Sequence, residues 1–136
     1  MAEINALKAT GCKSNNIFIS DGEKAILKEV QNHFEGIESQ FLHYDSKLEK
    51  WFSYDIRYKN KIIEYHGDYW HCNPIKYKEN YYHSQQRKTA REIWDKDCIK
   101  KQSLINHNYE LLVVWESDYK KDKEGTIEKC QILLMT

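Results

Sequence analysis

The run Phe52-Ser-Tyr-Asp55-Ile-Arg-Tyr-Lys-Asn-Lys-Ile-Ile-Glu64-Tyr-His66-Gly-Asp-Tyr-Trp70-His71 decides how the chain folds. Phe52, Tyr54, Ile56 and Tyr58 fall on one face of a strand, Ser53, Asp55 and Arg57 on the other. Ile63 and Tyr65 then alternate with Ile62, Glu64 and His66. Two runs of period two, separated by Lys59-Asn60, predict a β-hairpin, with Asn60 taking the positive φ of the turn. That loop sets Tyr58 opposite Lys61 and Asp55 opposite Glu64, with Cβ atoms roughly 4.5–5.5 Å apart. Like charges repel there, and a hard divalent cation removes the penalty because Mg²⁺ prefers carboxylate oxygens. His66 shares the face, one pleat beyond Glu64. The pattern points to a metal-dependent hydrolytic site. It also describes a solvated polar face with a chance acidic pair, and a longer loop would shift the register and separate the two.

At 136 residues the chain is long enough for one domain with its own core. Lysine plus arginine balance aspartate plus glutamate at 21 each, so whole-chain charge selects no partner. The distribution says more. From His71 to Asn108 there are eight basic residues against four acidic ones, a local patch suited to phosphates or to a solvated helix face. No apolar run reaches membrane-spanning length and no leader opens the chain, so a soluble, cytoplasmic protein with no membrane partner is expected. Cys12, Cys72, Cys98 and Cys130 are widely spaced without a Cys-x-x-Cys pair and are expected as free thiols.

Residues 1–19 are weakly patterned and predict an irregular arm, leaving 20–136 as the folded domain. Ser20-Asp-Gly-Glu23 fits a capping box, followed by Leu27, Val30 and Phe34 at helical spacing. Glu23 is then either the cap or, on the stripe 23-27-30-34, a side chain aimed at the sheet. A strand over Gln40–Tyr44 precedes the hairpin, and a Tyr- and Lys-rich loop follows it from Asn73 to His83, where Pro74 disfavours a helix. A helix is predicted over 84–106, with Ala90, Ile93, Trp94, Cys98 and Ile105 on its inner face and Asn108 as its stop. Tyr109–Trp115 is continuously apolar, as in the middle of a sheet covered on both faces. After a charged loop at 118–125, Thr126 caps a last helix through Met135. The order gives one α/β domain of three layers, a mixed central sheet with an αβββαβ core and a C-terminal helix.

Ile62-Ile-Glu-Tyr-His66-Gly-Asp-Tyr-Trp-His71, followed by Asp97, Leu104 and Tyr109-Glu-Leu-Leu-Val-Val-Trp115-Glu116, resembles the very-short-patch-repair endonucleases and their phage homing-type relatives in the PD-(D/E)xK superfamily. The resemblance covers about residues 20–117 and implies the same αβββαβ core. It implies a Mg²⁺- or Mn²⁺-dependent endonuclease acting on duplex DNA. Asp55 matches the metal-binding aspartate, and Glu64-Tyr65-His66 the (D/E)-x-K place, with His66 for lysine and the Tyr65 carbonyl facing the metal. His71 matches the catalytic histidine, Glu23 the acidic residue of the first helix, and Tyr69 and Trp70 the aromatics wedged into the base stack.

Asp68, Asn73 and Ser117 stand where the very-short-patch-repair branch places structural zinc ligands, so no structural zinc is expected and the phage homing-type relatives are the nearer likeness. In those relatives a separate DNA-recognition module often accompanies the nuclease; that or a homodimer would supply further contacts. Arg87, Lys88, Arg91, Lys96 and Lys100 are candidate phosphate contacts, while Trp94 and Trp115 read as core. Two rivals are a catalytically silent nucleic-acid-binding module of the same fold and a zinc-binding regulator using Cys72, His66 and His71.

Overall fold

The computed structural model describes residues 19–136. The N-terminal arm expected over 1–19, Cys12 included, lies outside the described residues apart from Ile19. Four helices and six strands follow: α1 (Asp21–His33), β1 (Glu38–Asp45), β2 (Lys50–Tyr58), β3 (Lys61–His66), β4 (Tyr82–His83), β5 (Lys88–Thr89), α2 (Ala90–Asn106), β6 (Glu110–Trp115), α3 (Glu116–Lys121) and α4 (Lys123–Met135). Strands β1, β2 and β3 are antiparallel neighbours, and β6 joins β3 in parallel through the α2 crossover. The α/β architecture with a mixed sheet and a C-terminal helix is therefore the one expected.

Ile62 and Ile63 make the layers visible. Both are fully buried and adjacent, so they point to opposite faces of β3. Ile63 packs with Ile26 and Val30 of α1, Cys130 and Leu134 of α4 and Tyr119 of α3, while Ile62 packs with Leu104 of α2.

The hairpin has the expected register near its turn, Tyr58 opposite Lys61 and Ile56 opposite Ile63. Two details differ. The positive φ falls on Lys59 (54°), not Asn60. The Asn60 carbonyl accepts from the Glu110 amide of the neighbouring strand at 2.9 Å. Moreover, the inner face of β2 is not continuous. Phe52 and Tyr54 belong to the α2-side cluster, whereas Ile56 and Tyr58 pack on the α1/α4 side. Residues two apart share a face in a regular strand, so β2 changes faces at Asp55. On β1 the change falls at Gln40, which has a φ of 55°, with Phe41 on the α2 side and Ile37 on the other.

The remaining differences have local causes. The first strand is longer than expected, running from Glu38 to Asp45. Helix α2 begins at Ala90, because Thr89 caps it in a full capping box with Glu92 and the preceding residues form the small β4–β5 hairpin. Its inner stripe is Ala90, Ile93, Asp97, Lys100 and Leu104, which leaves Cys98 and Ile105 exposed. β6 is an edge strand of the four-stranded sheet, not a central one. Its unbroken apolar run reflects cover on both faces, with Leu111 toward α2 and Leu112 and Val114 toward α1 and α4. The charged 118–125 stretch is largely α3 and the start of α4, whose cap is Asp122 accepting from the Gly125 amide; Thr126 is buried inside the helix. Cys72, Cys98 and Cys130 are free thiols, as expected.

Ile63→Ala should cost about 2–5 kcal/mol, the range for deleting a buried large aliphatic chain. Urea denaturation would show it as a lower midpoint with an unchanged slope.

Candidate active site at the β2–β3 fork

The site begins where β2 and β3 stop pairing by backbone alone. Beyond Ile56–Ile63, the Asp55 amide donates to Glu64 Oε2 at 2.9 Å and the Tyr65 amide donates to Asp55 Oδ2 at 2.7 Å. Each carboxylate takes an amide from the other strand. The expected juxtaposition of Asp55 and Glu64 is thus present, and it is locked by side chains in place of ladder bonds.

Helix α1 adds a third carboxyl. The Ser20 hydroxyl accepts from the Glu23 amide at 3.3 Å, the capping bond expected of Ser20. The Glu23 side chain points inward instead of back to the cap, is buried and accepts from Gln40 Nε2 at 2.9 Å. A Cβ at Gly22 would fall on the Tyr65 hydroxyl, so glycine lets that ring lie against the helix start. Burial, then the Glu64 charge, push the Glu23 carboxyl up to about 7 against the Gln40 bond. Burial and the charges of Glu64 and Glu23 push Asp55 up to about 8. Burial also acts to raise Glu64, but the His66 hydrogen bond and the Lys100 ammonium outweigh it and hold Glu64 below the usual range. Three carboxyls therefore act on one another through their charges, two of them reluctant to ionise. Lys100 Nζ, 3.3 Å from Glu64 Oε1, offsets part of that charge. The oxygen-rich donor set and its unbalanced charge fit a hard divalent cation on Asp55 and Glu64.

Next to the carboxylates lies a pair of imidazoles. His66 Nε2 is 3.5 Å from Glu64 Oε1, and its ring stacks on His71 with centroids 3.8 Å apart and planes within 5°. Burial holds His66 below the ordinary histidine range. His71 Nδ1 lies 2.8 Å from Asp97 Oδ2 of α2. Asp97 is kept below the usual range because its bond to His71 and nearby positive charge outweigh burial. An ionised carboxylate only accepts, so Nδ1 of His71 carries a proton, and whenever the ring is neutral Nε2 is left as a lone pair.

A cleft of about 630 Å³ joins Glu23, Asp55, His71, Tyr69 and Trp70. Tyr69 and Trp70 are 41% and 50% exposed at its mouth. Behind them His83 is fully buried, its ring 4.3 Å from Tyr69 and 5.1 Å from Trp70 between centroids. Gln86 Nε2 donates to the Trp70 carbonyl at 2.5 Å. Trp115 stands edge-on to His66 at 5.1 Å and so lines the site, while Trp94 packs beside Cys72, Ala90 and Ile93. Asp68, Asn73 and Ser117 form one polar clasp: Asp68 Oδ1 accepts from Asn73 Nδ2 at 2.9 Å and from the Ser117 amide at 3.4 Å. Lys76 Nζ closes it at 2.9 Å from Asp68 Oδ2.

Of the basic candidates, only Lys100 enters the carboxylate cluster. Arg91 is held by Glu79 at 3.0 Å. Arg87 sits exposed with a φ of 55° between β4 and β5, Lys88 is half-buried in β5 and Lys96 is exposed on α2. Asp97 is the residue whose partnership the sequence reading missed. Its signal was available: two charges occupy the middle of the stripe 90-93-97-100-104, on the face that should be apolar.

Compared with models of known protein families, with curated proteins and with solved structures, the chain matches none.

The crowded carboxyls set a sign for pH dependence. A carboxyl whose folded pKa is raised makes its stability contribution below the unfolded value of roughly 4 and loses it as pH rises through the folded one. His66, held low in the fold, adds a small slope of the opposite sign that fades by about pH 7.5 and is outweighed by the two raised carboxyls, and Glu64, ionised folded and unfolded, adds none. Stability should therefore fall from pH 6.5 to 8 as Asp55, at about 8, and Glu23, at about 7, are forced to ionise. Melting temperatures across that window, with and without Mg²⁺, check this: the decline should flatten with Mg²⁺ and shrink in Asp55→Asn.

Proposed function

We propose that this protein is a metal-dependent endodeoxyribonuclease that hydrolyses phosphodiester bonds in duplex DNA, on the plan of the homing-type PD-(D/E)xK enzymes it resembles. The observation that carries this reading is the reciprocal Asp55–Glu64 lock standing beside a His71–Asp97 dyad. Asp55 and Glu64 would hold Mg²⁺ or Mn²⁺, and the resemblance adds the Tyr65 carbonyl. Such an ion supplies Lewis acidity toward the phosphate oxygens.

The chain's own groups do the rest. Nε2 of His71 is free to accept a proton from the attacking water, and Asp97 fixes that tautomer and steadies the imidazolium that forms. As the water oxygen bonds to phosphorus, the ester bond breaks and the leaving oxygen regains a proton from solvent or from the imidazolium. His66, in the lysine position of the motif, would stabilise developing negative charge, and the Lys100 ammonium, 3.3 Å from Glu64 Oε1, would add to that. Glu23 is placed to orient a water. Tyr69 and Trp70 are positioned to stack on bases at an unstacking cost of a few kcal/mol, and Lys96, Arg87 and Lys88 to meet phosphates. A separate recognition module or a second copy would add sequence choice. Among the described residues no helix is long and apolar enough to cross a membrane.

Asp55→Asn should abolish nicking of supercoiled plasmid in Mg²⁺ while circular dichroism stays unchanged. His71→Ala should slow turnover by roughly 10²–10⁴, the span of general acid–base help. Wild-type protein that binds the plasmid as well in EDTA as in Mg²⁺, and never cuts it, would be a silent binding module and would sink this reading.

A further inference from the structure

Beside the oxygen-rich fork lies a donor set of another character. Ligand atoms of His66, His71 and Asp97 lie within 4.8 Å of one another. Neighbouring donors on a tetrahedral zinc are about 3.3 Å apart; His71 Nδ1 and Asp97 Oδ2 are already 2.8 Å apart, and the His66 ring, stacked parallel on His71, has to turn out of that stack to aim a ring nitrogen at the same point. His66 is 8% exposed, and its Nδ1 is buried without a hydrogen-bond partner. A second cleft of about 380 Å³, on the α2 side, reaches Glu64, His66, Asp97 and Trp115 and offers an ion a path in. Cys72, which a zinc site read from sequence would have used, is fully buried and does not belong to the set.

Two imidazoles and one carboxylate suit Zn²⁺ and similar borderline ions, whereas Mg²⁺ selects oxygen. We propose that His66, His71 and Asp97 form a Zn²⁺ site, distinct from the Asp55–Glu64 site, whose occupancy switches hydrolysis off. The binding half stands on the donor geometry alone; the switch rests on the nuclease reading. An ion bridging His71 Nδ1 and Asp97 displaces the Nδ1 proton, and the neutral ring then carries its proton on Nε2. The lone pair that would accept from water is gone, and the carboxylate that would steady an imidazolium is occupied. Water completes the fourth position, as in open zinc sites.

Co²⁺ serves as the probe because tetrahedral Co²⁺ shows intense visible bands. Titration of the full chain should give those bands at one equivalent, bleached by Zn²⁺. They should weaken at least about tenfold in affinity in His66→Gln, His71→Gln and Asp97→Asn, each checked for native circular dichroism, and persist in Asp55→Asn. Plasmid nicking in Mg²⁺ should fall in step with Zn²⁺ occupancy. Absence of the bands together with no calorimetric Zn²⁺ binding overturns the site, as does binding that His71→Gln leaves unchanged. Zn²⁺ binding with undiminished nicking overturns the switch. Zn²⁺ binding to these residues in a protein that never cuts DNA upholds the site and overturns the nuclease reading together with the switch, so the failures are told apart.

Discussion

Two hydrogen bonds lie at the centre of this molecule, and in both a carboxylate stands where a strand would offer a carbonyl. Asp55 gives its amide to Glu64, and its own carboxylate receives the amide of Tyr65. Hydrogen bonds to charged groups contribute about 1.5–3 kcal/mol each. Burying two like charges costs several kcal/mol per ion without a compensating partner. The pair is therefore held by the sheet more than it holds the sheet. The imbalance surfaces as the upward push on Asp55 to about 8, an excess of negative charge that a bound cation would relieve. The same exchange coincides with the face change in β2, since Asp55 lies between Tyr54 on the α2 side and Ile56 on the α1 side. A residue there belongs to neither face and can turn toward β3.

Helix α2 solves the companion problem of bringing charge to a buried fork. Its inner stripe is apolar at both ends, with Ala90 and Ile93 packed beside Cys72 at the start and Leu104 against Ile62 near the finish. The middle carries Asp97 and Lys100. Neither is buried alone: Asp97 meets His71, and Lys100 meets Glu64 while its ammonium lies 4.8 Å over the Tyr54 ring. Packing at the ends fixes the helix, and the fixed helix sets the two charges against residues from β3 and the loop after it. Precise placement of this kind is easier from a helix than from a loop.

Local pattern carried the hairpin, the α1 cap, the α2 stop at Asn108 and the α/β order, because each depends on residues close in sequence. The Tyr58–Lys61 register follows from loop length, and the approach of Asp55 to Glu64 follows from the register. What stayed hidden depends on contacts between distant residues. Period-two reading assumes a steady pleat, so it could not show β2 and β1 changing faces together at Asp55 and Gln40. The helical face was drawn through Cys98 and Ile105 because they are apolar, and the true stripe lies one residue away, through Asp97 and Leu104 with Lys100 between them. An unbroken apolar strand says that both faces are covered; it does not say how many strands lie beside it, and β6 is at an edge. Arg91 looked available for phosphate, but the Glu79 that holds it lies twelve residues back in a loop.

The exposure of Tyr69 and Trp70 gains meaning from how firmly the loop beneath them is tied. Exposed aromatic rings on a loose loop would lose entropy on binding anything. Here Asp68 is clasped to Asn73, Ser117 and Lys76 on one side of the pair. On the other side the Cys72 carbonyl accepts from Trp94 Nε1 at 2.7 Å, and the Trp70 carbonyl accepts from Gln86. His83 fills the space behind both rings. The clasp ties the loop down with hydrogen bonds and one ammonium. Anchoring by side chains from α2, α3 and the β4–β5 hairpin fixes the aromatic pair relative to the carboxylate fork, because α2 also carries Asp97 and Lys100. For the proposed reaction this is the useful coupling: a base stacked on Trp70 and a phosphate at Asp55 would be registered against each other by the same helix.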